Sequence, residues 1–161
     1  SLAATLRSFG IDAALVGIDG EMRAQGLRPD GEAWTIAIEA PDTDRRAPHT
    51  ILSLQDAAVA TSGDYRHWVT VEGRQLSHTM DPRRGAPLLS SPASVTVIAP
   101  SCAEADAWVT ALMVVGPEAG AALAARQGLS ALFLLRDDAG GVRAQGCGHL
   151  FADSAANPSA D

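Results

Sequence analysis

Residues 94–99, with Val95, Val97 and Ile98, read as a strand, and only Pro100 separates them from Ser101-Cys102-Ala103-Glu104. Serine followed three residues later by glutamate is a capping box, so a helix starts at Ser101 and the strand feeds directly into it. Ala103, Ala107, Trp108, Ala111, Leu112 and Val115 describe an apolar stripe along that helix. Gly116-Pro117 then ends one helix and begins another, because glycine suits the position after a helix and proline the first position within one. The second helix runs to about residue 127 and stops at Gly128.

Upstream, Leu2, Leu6 and Phe9 fit the end of an amphipathic helix closed by Gly10, and residues 13–18 read as a buried strand. Asp19-Gly20 is a hairpin signal, so residues 21–25 return antiparallel, and Trp34, Ile36 and Ile38 alternate in a third strand, predicting a meander. Residues 40–49, rich in Pro, Asp and Arg, form a surface loop, and strand character resumes over 51–54 and 57–61. A further hairpin pairs 67–71 with 75–80 across Glu72-Gly73, closed by the tight loop Asp81-Pro82-Arg83-Arg84-Gly85. Residues 132–135 and 142–145 make a last strand pair. Strands outnumber helices in a mixed order, which predicts an α+β fold with a mixed, mostly antiparallel sheet and packed helices.

At 161 residues, 47% hydrophobic and 19% charged, the chain is long enough for one packed core over residues 1–150, with 151–161 left as a flexible tail. A formal charge of −7 with no basic run argues against nucleic acid and anionic membrane as partners. A phosphate ligand therefore calls for a cation. Arg66, Arg74, Arg83 and Arg84 collect in one segment, a pattern more often solubilising than ligand-binding. Cys102 and Cys147 have neither a CxxC nor a zinc spacing. No apolar run approaches the length of a membrane span.

Asp106 and Thr110 stand four apart on the capped helix, so their side chains lie on one face and offer two oxygens to a hard cation such as magnesium. On their own, such residues most often form a solvated pair or a local hydrogen bond. Small neighbours leave room for a ligand beside them.

Four segments, in order, carry more: Ala60-Thr61-Ser62-Gly63-Asp64-Tyr65; Ser77-His78-Thr79-Met80-Asp81-Pro82 with Gly85; Ser94-Val95-Thr96-Val97-Ile98-Ala99; and Ala105-Asp106-Ala107-Trp108 with Thr110. In this order and spacing the chain, over roughly residues 2–148, resembles the carboxy-terminal portion of the ApbE family, the FAD:protein FMN transferases.

The resemblance implies a magnesium-dependent enzyme that cleaves the pyrophosphate of FAD and places FMN on a threonine or serine hydroxyl of a target protein, releasing AMP. Asp106 and Thr110 match the family's metal ligands. His78 matches the histidine of its His-x-x-Asp-Pro motif, which by the resemblance would place it near the flavin phosphate, where it could accept the proton of the attacking hydroxyl. Ser62, Gly63, Asp64 and Met80 would adjoin the FAD, with Asp81 fixing the turn or orienting His78. The implied acceptors are subunits of membrane redox pumps, and the implied location is the periplasm or an inner-membrane lipoprotein anchor, with the cytoplasm as the alternative.

There are two departures. Asp19-Gly20 stands where many members carry Gly-Gly, and the family's upstream half, with its lysine-containing Gly-rich segment, would lie before Ser1. The chain is therefore expected to be a fragment truncated on its amino-terminal side, inactive alone and prone to self-association as a homo-oligomer. FAD pyrophosphatase activity and a non-catalytic flavin-binding or assembly domain are the alternative readings.

Overall fold

The computed structural model describes residues 1–41, 47–64, 68–71, 74–88, 91–137 and 140–151. The elements are α1 (Leu2–Ser8), β1 (Ala14–Ile18), β2 (Glu21–Gln25), β3 (Trp34–Glu39), β4 (Pro48–Leu54), β5 (Ala58–Gly63), β6 (Trp68–Val71), β7 (Arg74–Ser77), β8 (Met80–Asp81), β9 (Ala86–Pro87), β10 (Ser94–Ala99), α2 (Cys102–Val115), α3 (Pro117–Arg126), β11 (Ser130–Arg136) and β12 (Val142–Cys147). A six-stranded sheet in the order β1-β2-β5-β10-β11-β12 organises the molecule. Each of its pairings is antiparallel, and the fold is α+β as the sequence predicts.

Strand β10 lies near the middle of this sheet and is buried at every position, Ser94 and Thr96 included, with Thr96 Oγ1 hydrogen-bonded to Thr61 Oγ1 at 2.8 Å. Its two faces feed two cores. Val95, Val97 and Ala99 pack with Ala60, Phe133 and the inner side of α2 (Ala105, Val109, Leu112, Met113). On the other face Ile98, Leu132, Leu134 and Val59 meet Ile36, Ile38, Leu52 and Leu54 of the β3–β4 hairpin. Helices cover one side of the sheet and a hairpin covers the other. Gly120 lets α3 approach closely, since a Cβ there would stand 3.1 Å from the Phe133 ring.

Several expectations change. The meander does not form: β2 pairs with β5, and β3 pairs only with β4 in a separate sheet. Trp34 is still tied to the end of β2, its Nε1 donating to the carbonyls of Gln25 (3.2 Å) and Gly26 (3.1 Å). Strand β1 is not buried; it is the sheet's edge, with Leu15 and Ile18 exposed. Its apolar composition reads like that of an interior strand, but the element has a neighbour on one side only. Residues 75–80 do not make one strand, because β7 ends at Ser77 and Met80 pairs with Pro87 in the β8–β9 ribbon. Phe151, assigned to the tail, is 1% exposed and belongs to the second core. The rest of the tail, the Glu72-Gly73 turn, Tyr65, Arg66 and residues 42–46 of the 40–49 loop lie outside the described residues.

The Asp19-Gly20 turn is as predicted, with φ of 51° and 103°, the positive pair of a type I′ hairpin. Asp19 thus supplies the backbone conformation for which a glycine is usual. Among the described residues no helix is long and apolar enough to cross a membrane.

Candidate functional site

The start of α2 is set by Ser101, whose extended backbone leaves its Oγ free to accept from the Glu104 N–H at 3.3 Å while donating to Glu104 Oε2 at 2.8 Å. Such a cap contributes about 1 kcal/mol. From there, Ala105, Val109, Leu112 and Met113 turn into the core, and the phase of the helix places Asp106 and Thr110 on the exposed side. One turn of helix separates them, about 6 Å of rise.

The predicted apolar stripe is out of phase with the buried one. Leu112 is buried, Trp108 and Ala111 are half-buried, and Ala103, Ala107 and Val115 are exposed. Helix α2 is apolar on most sides, so periodicity alone does not select the inner face. The result is an open surface of small side chains beside Asp106 and Thr110.

Those two residues lie between two clefts. One, of about 580 Å³, is lined by Ser101, Cys102 and Ala103 at the start of α2 together with residues of α1, β1 and β2. The other, of about 590 Å³, lies at the α2–α3 junction and is lined by Val114, Val115, Gly116, Pro117 and Glu118, facing Asp81, Arg83 and Arg84 of the tight loop.

His78 is exposed in the bend between β7 and β8. The loop after it is fixed by Asp81, which is buried and accepts from the Arg83 backbone N–H (2.9 Å), Nε (3.0 Å) and Nη2 (3.1 Å). The Asp81 carbonyl accepts from Arg84 N (3.2 Å) and Gly85 N (2.8 Å), and Gly85 turns the chain with φ of 61°. Hydrogen bonds from Arg83, reinforced by its charge, hold the Asp81 carboxyl below the usual carboxylate range. Of the two roles expected for Asp81, its bonds to Arg83 serve turn fixing. Met80 is 50% exposed, so its side chain is accessible at this edge.

Asp64 has a different setting. Its side chain is 5% exposed, Arg136 donates to it through both terminal nitrogens (2.8 and 3.0 Å), and Ser91 Oγ donates at 2.9 Å. A carboxylate held this way stitches β5 to β11 and leaves little capacity for a ligand. Arg136 lies 72 residues from Asp64, and no local pattern announces the pair. Ser62 and Gly63 are half-buried at the end of β5, opposite Val95 and Ser94.

Among the described residues there is no group of three or more His, Cys, Asp or Glu side chains able to hold a metal. Asp106 and Thr110 are therefore a pair of hard oxygen donors on an open helix face. That suits magnesium, which is held through one or two carboxylates plus substrate phosphates and water rather than an all-protein cage. Both cysteines are unpaired, and burial pushes both thiols up, away from nucleophilic use.

A family model described as the ApbE family matches residues 1–133. The FAD:protein FMN transferase of Vibrio cholerae is 43% identical over 84% of this chain and 40% of its own length, and that of Escherichia coli strain K12 is 36% identical over 84% and 39%. Among solved structures, the Flavin Transferase ApbE from Vibrio cholerae superposes with a TM-score of 0.76 at 40% identity, covering 90% of this chain and 45% of the other. The flavinyl transferase ApbE of Pseudomonas stutzeri, in its apo form, superposes with a TM-score of 0.78 at 42% identity, covering 97% and 48%. The chain thus spans less than half the length of these relatives. By fold and by sequence it belongs to the ApbE family.

Proposed function

We propose that the protein carrying this chain transfers FMN from FAD to a threonine or serine hydroxyl of a target protein, with magnesium as cofactor and AMP as the leaving product. The observation that carries this reading is the exposed Asp106–Thr110 pair on one side of α2, in a chain whose relatives are named FAD:protein FMN transferase. The Asp106 carboxylate and Thr110 hydroxyl would hold magnesium, which when bound neutralises charge on the pyrophosphate.

The remaining work falls to positioning and proton transfer. The target hydroxyl oxygen attacks the FMN phosphorus, the bond from that phosphorus to the bridging oxygen breaks, and AMP departs with that oxygen. His78 takes the hydroxyl proton. The rigid seat of α2 fixes one side of this geometry, and the Asp81–Arg83 pair holds the loop bearing His78 on the other. Acceptors of the kind found in membrane redox pumps fit this chemistry. The 161-residue chain alone, which spans less than half the length of its relatives, is expected to be inactive.

Asp106→Ala in the full-length parent tests the reading. FMN transfer, followed as flavin-labelled acceptor and released AMP, should fall by at least ~100-fold, since a lost metal contact removes several kcal/mol of transition-state stabilisation. Asp106 is exposed, so stability should move by no more than about 0.5 kcal/mol. Unchanged transfer in the variant would remove the metal assignment.

A further inference from the structure

The cleft at the α2–α3 junction takes no part in the chemistry described above, yet it adjoins both halves of it. Val114, in its wall, is four residues beyond Thr110, which is four beyond Asp106, so cleft and cation donors share one side of α2 about 12 Å apart along the axis. Asp81, in the opposite wall, is three residues from His78, a separation of at most about 11 Å. A strand of three or four residues spans either distance.

Its polar wall consists of guanidinium groups. Arg83 is 69% exposed and spends its Nε and Nη2 donors on Asp81; Arg136 is 42% exposed and spends both terminal nitrogens on Asp64. Each guanidinium has five N–H donors, so three remain on each after these bonds, and the internal carboxylates have already fixed its orientation. Arg84 is exposed and makes no salt bridge among the described residues. Three arginines therefore face one cleft in a chain whose formal charge is −7. Val114 and Leu135 add an apolar wall, and Glu118 makes the rim at the start of α3 unfavourable for a carboxylate, which confines negative groups to the arginine side.

We propose that this cleft seats an extended acidic segment of the flavin-accepting protein, whose carboxylates bind the arginine wall while its hydroxyl-bearing residue reaches the site beside Asp106, Thr110 and His78. This rests on the flavin-transfer reading. A volume of about 590 Å³ is in the range that holds a small ligand or a few residues of chain. The pre-oriented guanidiniums lose little freedom on binding, so the cleft discriminates by charge and position.

The test uses the full-length parent, FAD, magnesium and two synthetic twelve-residue peptides. Each peptide carries one threonine, flanked by aspartates in the first and by asparagines in the second. Peptide-bound FMN is read by mass, and FMN freed by water is read chromatographically. The wild type should modify the aspartate peptide preferentially. Arg84→Ala should raise KM for that peptide about tenfold and abolish the preference, Arg84→Lys should restore part of it, and FMN release to water should stay unchanged. Equal use of the two peptides, an unaltered KM in Arg84→Ala, or labelling of neither peptide while FAD is still cleaved would each overturn the docking assignment. A parallel fall of transfer and hydrolysis would instead assign the cleft to packing within the parent. Failure of the wild type to cleave FAD at all would overturn the flavin-transfer reading beneath it.

Discussion

Helix α2 carries Asp106 and Thr110 on a cylinder whose opposite side is locked into β5 and β10, whereas His78 lies in an excursion from the sheet whose ribbon, β8–β9, has two residues per strand. The first region takes its geometry from burial: four core side chains fix the phase of α2 and hence the direction of two unburied ones. The second takes its geometry from polar bonds, Arg83 to Asp81 and Gly85 to Asp81. The comparison shows two ways to hold a side chain. Under the proposed function, cation donors would need the fixed spacing that a packed helix provides, and a proton acceptor would be served by a loop tied at one residue.

The sharpest way to break this contrast is at the seam between the two regions. Asp64→Ala leaves Arg136 and Ser91 without their acceptor, and thermal or denaturant unfolding should show a loss on the order of 2–4 kcal/mol, reduced from the fully buried case because Arg136 is partly exposed. A loss under 0.5 kcal/mol would mean that the excursion is anchored elsewhere. Ser101→Ala tests the helix side with a smaller effect, about 1 kcal/mol, because one capping acceptor is removed while the buried face of α2 is untouched. The smallest effect belongs to the loop. Since Arg83 lowers the Asp81 carboxyl, that contribution is complete above the unfolded carboxyl's pKa of about 4 and is lost as pH falls through the lower folded value. Asp81→Asn should therefore flatten the acid limb of a stability–pH profile and change little in its shape near neutrality.

Local chemistry wrote much of this fold plainly. Ser101 and Glu104 announced α2, Asp19-Gly20 announced the first hairpin, and Gly116-Pro117 marked the α2–α3 boundary, because caps and turns are satisfied by residues adjacent in sequence. Strand partners were less visible. The choice of β5 over β3 as the neighbour of β2 depends on which apolar surface each buries, and Met22 and Arg23 carry no mark of Val59 and Ala58. The inner face of α2 was obscured by alanines on both sides of the helix, and the closure of Asp64 by Arg136 is a contact between distant strands. In the candidate site, the Asp106–Thr110 spacing follows from helix geometry once the cap is known, whereas the exposure of the pair depends on which face of α2 the sheet takes up. The arginine wall does not, since it is assembled from a loop and a strand end.

The ends of the excursion meet: β5 stops at Gly63, β10 begins at Ser94, and Asp64 N donates to the Ala93 carbonyl at 3.0 Å. The two strands pair in register directly beyond that bond, from Gly63 opposite Ser94 to Ala58 opposite Ala99. The chain leaving at Asp64 and returning at Ala93 is thus closed on one rung of the sheet, and closure entropy rises only by about 0.6 kcal/mol for each doubling of length. Insertions and deletions there are thermodynamically inexpensive, so the segment that carries His78, Arg83 and Arg84 is free to change in length and sequence while the strands and α2 keep Asp106 and Thr110 in place.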